Sequence, residues 1–397
     1  MKRIIIAVLL CTVLFSLPAM DFGLDINNST ALNGQGSEDL SVDQANTALL
    51  WLSLPAGSDS SIYVSGVYKF SGNFVIKPSS SSTVRPYSIT AGRIEWEGLK
   101  ALGDNSSLSW SMGRINFSDY SGKTVNSMLD GGKATYSIGN IQLSSALAYT
   151  GLTFKDDARV LIDQDDADRN SSTSEGWPES FANQRLVASL GSRFVEILPM
   201  HDFGLELWAQ FDMEPEGVTT HTQYIEPFID GRFGRHFRWR LWFSTELGQA
   251  EDEFFYSMAA GGRARWTFPE INNLGISASI NWAGGGTESA EGMRPFSPIN
   301  TGSMATIAPF PFSDAMALAL DASIVPFRSL NSALNFAMVL VPGGEEVYQG
   351  SEVSLRLAWK PLNDLSVNLT GGAFFPNGET GGNNTEWMLS LKAALKL

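Results

Sequence analysis

From Asp21 to the last residue, apolar and polar side chains alternate over stretches of 8 to 13 residues. A period of two sends successive side chains to opposite faces of an extended chain, so each stretch predicts a strand with one apolar and one polar face. In 237–247 the apolar set is Phe237, Trp239, Leu241, Phe243 and Leu247, while Arg238, Arg240, Ser244 and Glu246 share the other face with one exception, Trp242. In 202–212, Phe203, Leu205, Leu207, Ala209 and Phe211 alternate with Asp202, Glu206, Gln210 and Asp212. The last segment sets Trp387, Leu389, Leu391, Ala393, Leu395 and Leu397 against Glu386, Ser390, Lys392 and Lys396. Helical periodicity is nearly absent.

The same reading along the chain gives about 18 strands, with 16 as the alternative count. They lie near 21–28, 44–54, 62–71, 87–96, 108–117, 129–138, 141–151, 185–197, 202–212, 222–233, 237–248, 255–268, 274–282, 316–325, 333–341, 351–360, 364–375 and 385–397. Odd-to-even links are often long and rich in Gly, Ser and acids, as in 72–86, 153–184 and 283–315. Even-to-odd links are mostly short, as at Gly139-Asn140, 198–201, 234–236, 269–273 and 361–363. Short turns at one end, long loops at the other and an even strand count predict an all-β fold, a transmembrane up-and-down antiparallel β-barrel of the outer-membrane kind. The long loops are then expected to be extracellular.

Aromatic placement is an independent check. Phe233, Phe237, Trp239, Trp266, Phe268 and Trp359 fall on the apolar face beside short turns, and Trp282, Phe375 and Trp387 fall on it beside long links. Two such belts match rings seated at the two membrane interfaces. Charge then fixes sidedness. An Arg on the lipid face near the midplane costs roughly 2–4 kcal/mol, so exposing Arg238, Arg240, Arg263, Arg265 and Arg356 there would cost on the order of 10–20 kcal/mol. That rivals a typical domain's whole stability of about 5–15 kcal/mol, so these arginines are expected to line a wet lumen.

Residues 1–19 read as a cleaved signal peptide: basic Lys2 and Arg3, an apolar run from Ile4 to Leu17, then Leu17-Pro18-Ala19. A lipidated Cys11 is the alternative, disfavoured by bulky Leu10 before it. Residues 20–397 are expected to form a single barrel domain. Without Lys2 and Arg3, 25 of the 27 basic side chains remain against 42 acidic ones, a net charge of −17 with no cysteine left. Such acidity argues against a nucleic-acid partner, which needs clustered Lys and Arg. The partners expected instead are outer-membrane lipid, the barrel-assembly machinery and small hydrophilic solutes.

Lumen-side charge is densest on three neighbouring strands: Glu226, Asp230 and Arg232, then Arg238, Arg240 and Glu246, then Arg263 and Arg265. A basic ladder facing acids would set a transverse field that selects solutes; mutually neutralising wall ion pairs are the alternative. Gly113 breaks the alternation before Arg114, which with Asp130 would define a constriction if the glycine marks a bulge, against ordinary barrel curvature. A similar break at Gly92-Arg93 precedes Glu95. The link 155–179 carries Asp156, Asp157, Asp163, Asp165, Asp166, Asp168, Glu175 and Glu179 but lacks the turn glycine and distal Glu of a calcium loop, so it reads as a solvated surface loop. The link 284–312 is rich in Pro and Phe and carries Arg294; such apolar content predicts folding into the lumen or over its mouth.

Catalytic and cofactor signals are weak. His201, His221 and His236 fall at separate turns, and no phosphate loop, zinc spacing or dinucleotide fingerprint is present. No enzyme activity, metal or cofactor is expected. The alternatives to a channel are a closed surface barrel acting as an adhesin, or a hydrophobic-solute transporter of the fatty-acid type, which should carry an N-terminal plug.

Three short stretches resemble the alginate-export type of outer-membrane channel and related porin-like barrels. They are Gly113-Arg114 through Asp119 to Asp130-Gly131, Gly350-Ser351-Glu352-Val353 with Trp359-Lys360-Pro361, and Gly371 to Gly378. The resemblance implies a monomeric 18-stranded barrel whose basic lumen conducts an anionic polysaccharide or small anions. On it, Arg114, Asp130 and Glu352 would lie at or near the constriction. The lumen face here mixes Glu and Asp with Arg, which separates the channel expectation from alginate as its cargo.

Overall fold

The computed structural model describes residues 20–36, 39–75, 83–90, 93–160, 162–171, 181–214, 219–285, 292–300, 302–308, 310–342, 344, 346–378 and 384–397. Residues 1–19, read above as a signal peptide, lie outside the described residues, as does Gly92. In chain order the strands are β1 (Asp21–Gln35), β2 (Asp39–Pro55), β3 (Ser60–Val75), β4 (Thr83–Thr90), β5 (Ile94–Gly103), β6 (Ser106–Ser118), β7 (Asn126–Ile138), β8 (Ile141–Tyr149), β9 (Arg185–Leu198) and β10 (His201–Asp212). They continue as β11 (Thr220–Phe233), β12 (Phe237–Ala250), β13 (Glu253–Phe268), β14 (Leu274–Ala283), β15 (Ala315–Phe327), β16 (Leu330–Leu340), β17 (Tyr348–Trp359), β18 (Leu365–Pro376) and β19 (Glu386–Lys396). Two short helices, α1 (Lys155–Ala158) and α2 (Gln164–Ser171), sit in the link between β8 and β9. Among the described residues no helix is long and apolar enough to cross a membrane, which leaves crossing by strands open.

Apart from β4, each strand pairs antiparallel with its neighbours around the sheet, and β19 pairs with β1 from Asp25↔Lys396 to Gln35↔Glu386, so the sheet closes into a barrel. Both β4 and β5 pair with β3, β4 along Val67–Asn73 and β5 along Ser60–Val64. They are two halves of one stave, which makes the barrel 18-stranded. Period two therefore located every stave. The fourth departs from its expected span of 87–96: it comprises β4, which ends at Thr90, and β5, which begins at Ile94 and runs on to Gly103. The first two strands are also longer than the alternation suggested, because polar-on-both-faces stretches such as Asn27-Asn28-Ser29 still pair, with Asn28 donating to Asn46 and Thr30 to Gln44 across β1 and β2.

Turns at one end are short throughout, from Gly139-Asn140 and Arg328-Ser329 up to the five residues of 269–273 and of 360–364. The long links 150–184 and 284–314 lie at the other end, along with the two-residue turn Glu251-Asp252, so link length alternates as a trend and not as a rule. Leu24 and Leu397 exchange backbone hydrogen bonds of 3.0 and 2.9 Å at the short-turn end.

The outward face is apolar: Leu241, Phe243 and Leu247 of β12, Leu318 and Leu320 of β15, and Leu389 and Leu391 of β19 are exposed. At its short-turn margin, Phe233 stacks on Phe237 and Trp239, Phe237 meets Trp266 edge-on, and Trp266 stacks on Phe268. These rings form the expected belt. Trp242 points the other way, into the lumen, where it covers Gly261 and touches Phe312. The exception in the alternation thus marks an inward contact.

The apolar core is not between two layers but inside the barrel, towards the long-link end. Phe117, Val125 and Leu129 from the β6–β7 hairpin, Val160 from the 150–184 link, and Phe296, Ile299 and Phe312 from the 284–314 link pack on Trp208, Tyr224, Phe228 and Trp242 of the wall. The hairpin reaches this position by leaving the wall. Pairing of β6 to β5 stops at Glu95↔Gly113, pairing of β7 to β8 stops at Asp130↔Tyr149, and beyond these points β6 and β7 pair only with each other. At the branch point Gly113 faces Gly131, and a Cβ on either would overlap a wall carbonyl, that of Ile94 or Leu147. Gly113 also has φ +120°, a conformation L side chains rarely adopt. The bulge inferred from the sequence is therefore a bend that swings a hairpin into the bore.

Gly113→Ala should destabilise the folded barrel by about 2 kcal/mol or more, from strain and carbonyl overlap together. A denaturant midpoint unchanged from the parent protein would contradict the close approach.

Candidate functional site

Three links fold inward, and lumen-facing glutamates catch two of them, 119–125 and 284–314. Glu206 of β10 accepts from the Tyr120 N–H (2.9 Å) and Trp208 Nε1 (3.1 Å). Glu226 of β11 accepts from the Ser121 N–H (3.0 Å) and Thr124 Oγ1 (3.2 Å). Glu246 of β12 accepts from the Ser297 N–H at 2.9 Å. On the far wall, Glu352 of β17 accepts from the N–H groups of Thr306 (2.9 Å) and Ile307 (2.7 Å). Glu226, Glu246 and Glu352 are fully buried and have no ion-pair partner among the described residues. Their carboxyl oxygens serve backbone donors that folding inward strips of water, and a buried N–H left without an acceptor would cost free energy. The 284–314 link is thereby tied to two different parts of the wall, β12 and β17.

The 150–184 link is held differently. Arg185, 1% exposed, reaches Asp163 at 2.5 Å and Asp166 at 2.9 Å in the link and Asp212 at 3.5 Å on β10. Asn183 donates to Asp166 and accepts from Arg169. Burial raises the Asp166 carboxyl above its usual range and outweighs the opposing pull of Arg185. Two of the acids read as solvated are thus counter-ions of a buried arginine. Asp157, Asp165 and Asp168 are exposed as expected, and Glu175 and Glu179 lie outside the described residues. Among the described residues no group of carboxylates or histidines could hold a metal ion.

Below the infolded links, towards the short turns, the lumen wall is basic. Register places Arg232 opposite Arg238, Arg238 opposite Arg265, and Arg240 opposite Arg263. Arg263 has Asp321 at 3.8 Å, and Arg232 has Glu196 at 3.7 Å. Arg238, Arg240, Arg265 and Arg356 are exposed, with no carboxylate partner among the described residues. Like charges opposite each other across strands oppose folding.

The top of this basic wall meets the hairpin tip at Tyr120. Its ring stacks on Phe228 (centroids 3.6 Å apart, 7° between planes) and lies 5.2 Å from the Arg240 guanidinium. Its hydroxyl donates to Asp230 at 2.7 Å, and Arg193 joins Asp230 at 3.3 Å and Asp202 more closely. Burial and the Asp230 contact push the Tyr120 phenol well above its usual range. At the same tip, burial pushes the Lys123 ammonium down, opposed by Asp119.

The sequence-derived candidates sort accordingly. Asp230, Arg232, Arg238, Arg240, Arg263, Arg265 and Arg356 line the lumen. Glu226, Glu246 and Glu352 face inward but are covered: they hold links and do not face the water path. Arg114 and Asp130 pair bidentately at 3.0 and 2.8 Å just beyond the branch point, joined by the Leu152 carbonyl and Thr153 Oγ1, and brace the bend. Arg294 pairs with Glu253 at 2.8 Å and sits over Phe255 at the long-link rim. Tyr120, Arg193, Asp202, Glu206 and Arg185 were not singled out from sequence. Glu206 and Asp202 were visible only as polar alternates, and no local signal marks a tyrosine in a seven-residue link. The histidines serve separate backbone contacts: His201 and His236 with the carbonyls of Pro199 and Thr267, His221 accepting from the Asp212 N–H.

Replacing Arg185 with Met leaves Asp163, Asp166 and Asp212 buried without their cation, an expected loss of about 3–5 kcal/mol by denaturant titration. Glu352→Ala removes the acceptor of two N–H groups, and limited proteolysis should then cut the 284–314 link faster than in the parent. Unchanged cleavage would show that this link does not depend on the clasp.

No protein-family model and no curated protein matches the chain. Solved structures do. Pseudomonas aeruginosa OccK7 (OpdD) superposes with a TM-score of 0.61 at 12% identity, covering 96% of this chain and 99% of that one. P. aeruginosa OpdQ gives 0.59 at 11%, covering 96% and 99%, and P. aeruginosa OprD gives 0.55 at 10%, covering 95% and 96%. These neighbours support the porin-like part of the resemblance stated above and nothing specific to alginate export. At such identity the likeness is one of architecture: the chain has the closed 18-stranded barrel fold of the OprD/Occ outer-membrane porins.

Proposed function

We propose that the protein is a bacterial outer-membrane channel for passive diffusion of small hydrophilic solutes, preferring anions, with its long links on the extracellular side. The observation that carries this reading is the set of exposed lumen arginines, Arg238, Arg240 and Arg265, which have no carboxylate partner among the described residues and lie directly beneath the infolded links. A low-dielectric wall focuses the field of such charges across a narrow aqueous path, which raises the local concentration of anions. The fatty-acid-type alternative needs an N-terminal plug, but the segment 20–43, the candidate for it, supplies wall strand β1 and the start of β2. An adhesin would present its long links outward, whereas Phe296, Ile299 and Phe312 of one link are buried in the lumen. No catalytic role is proposed for any of the three histidines. The neighbours' fold supports the membrane location, and partnership with lipid and the barrel-assembly machinery follows from it.

The test is single-channel recording of the refolded chain from residue 20 in a planar bilayer under a salt gradient. Discrete steps are expected, with a reversal potential on the anion side that moves towards zero when Arg238, Arg240, Arg263 and Arg265 are replaced by Gln. Folded, heat-modifiable protein with no conductance would contradict the channel.

A further inference from the structure

Asp230 on β11 and Arg240 on β12 are direct cross-strand partners on the lumen face. Opposite charges in that relation normally close into an ion pair, since the Cβ atoms lie only about 5 Å apart. Here they do not pair. The side chain that separates them comes from a distant link. Tyr120 takes Asp230 with its hydroxyl at 2.7 Å and offers its ring face to the Arg240 guanidinium at 5.2 Å. Its placement is over-determined: the ring lies flat on Phe228, the backbone N–H is fixed by Glu206, and the next N–H is fixed by Glu226. Phe228 in turn covers Gly204, where any larger residue would displace the ring.

We propose that Tyr120 is a selectivity-determining residue of the channel, which acts by intercepting the Asp230–Arg240 ion pair so that Arg240 stays available to passing anions. Asp230 is meanwhile satisfied by the phenol and by Arg193, which also binds Asp202. Arg240, at the upper end of the basic wall, therefore keeps a positive edge towards the bore just below the infolded hairpin. A ring is suited to this, because a cation over a π face is attracted without being neutralised. A carboxylate or amide at position 120 would neutralise or compete for the guanidinium. This inference rests on the channel reading and deepens it.

Removal of the ring lets Asp230 and Arg240 close on each other, so the charge at that level falls. The experiment is a double-mutant cycle in reversal potential, using the parent, Tyr120→Leu, Asp230→Asn, and the two combined, in planar bilayers under a potassium chloride gradient. Tyr120→Leu should lower the chloride-over-potassium permeability ratio at least twofold. Asp230→Asn should raise that ratio several times more strongly in the Tyr120→Leu background than in the parent, because only there does Asp230 neutralise Arg240. Mere widening of the pore predicts equal, additive effects of Asp230→Asn in both backgrounds, and that result overturns the proposal. So does a Tyr120→Leu ratio equal to the parent's. A parent protein that does not conduct defeats the channel reading itself, which is a separate outcome. Tyr120→Phe, which keeps the ring and loses only the hydroxyl, should fall between parent and Tyr120→Leu.

Discussion

A sheet of 18 staves closed on itself encloses a bore that its own side chains cannot fill, and the rest of this structure answers that constraint. Closure of β19 on β1 removes the edges that an open sheet would leave, and the unfilled space passes to the links. Those links bring unpaired N–H groups into a region that their apolar side chains dry. The wall supplies acceptors at the matching places: Glu206, Glu226, Glu246 and Glu352 each take N–H groups of an infolded link and have no salt bridge among the described residues. A carboxyl group suits that task, because its two oxygens can accept from neighbouring N–H groups at once, as Glu352 does from Thr306 and Ile307. The constriction is therefore a product of the wall as much as of the links.

A different rule governs the lumen below. There the arginines of β11, β12 and β13 face one another across strands, a placement that opposes folding and that a protein selected only for stability would avoid. Departures of this kind from local consistency are expected at functional positions. The division of labour is spatial. Acids in the half near the long links build the plug, and bases in the half near the short turns remain open to solvent, so one strand such as β12 carries Glu246 in the first role and Arg238 and Arg240 in the second.

Much of this was legible in the sequence because a barrel wall is a local pattern. Alternation in 237–248 or 202–212 fixes a strand, its two faces and, through the cost of arginine in lipid, which face is the lumen. Trp242 stood out as an exception for a good reason, since its ring covers Gly261 and meets the infolded link. The role of Glu226 was not legible, because an inward carboxylate looks the same in sequence whether water or a backbone N–H of Ser121 faces it. Nor could spacing reveal that Asp163 and Asp166 are counter-ions of Arg185, a residue that sits at the far end of the same link. The hairpin at Gly113 was half legible. A glycine that breaks period two announces a bend, but its direction is set by Gly131 across the ladder and by carboxylates almost a hundred residues away.

The central claim is that one face of each stave meets lipid and the other an aqueous bore lined by arginines. Single-cysteine scanning along β12 tests it most directly, because residues 20–397 contain no native cysteine. Arg238→Cys, Trp239→Cys, Arg240→Cys and Leu241→Cys would each be exposed, in reconstituted vesicles, to a small charged thiol reagent that does not enter lipid. The account predicts labelling with a period of two, rapid at 238 and 240 and slow at 239 and 241. Equal labelling at all four positions, or rapid labelling at 239 and 241 alone, would contradict it.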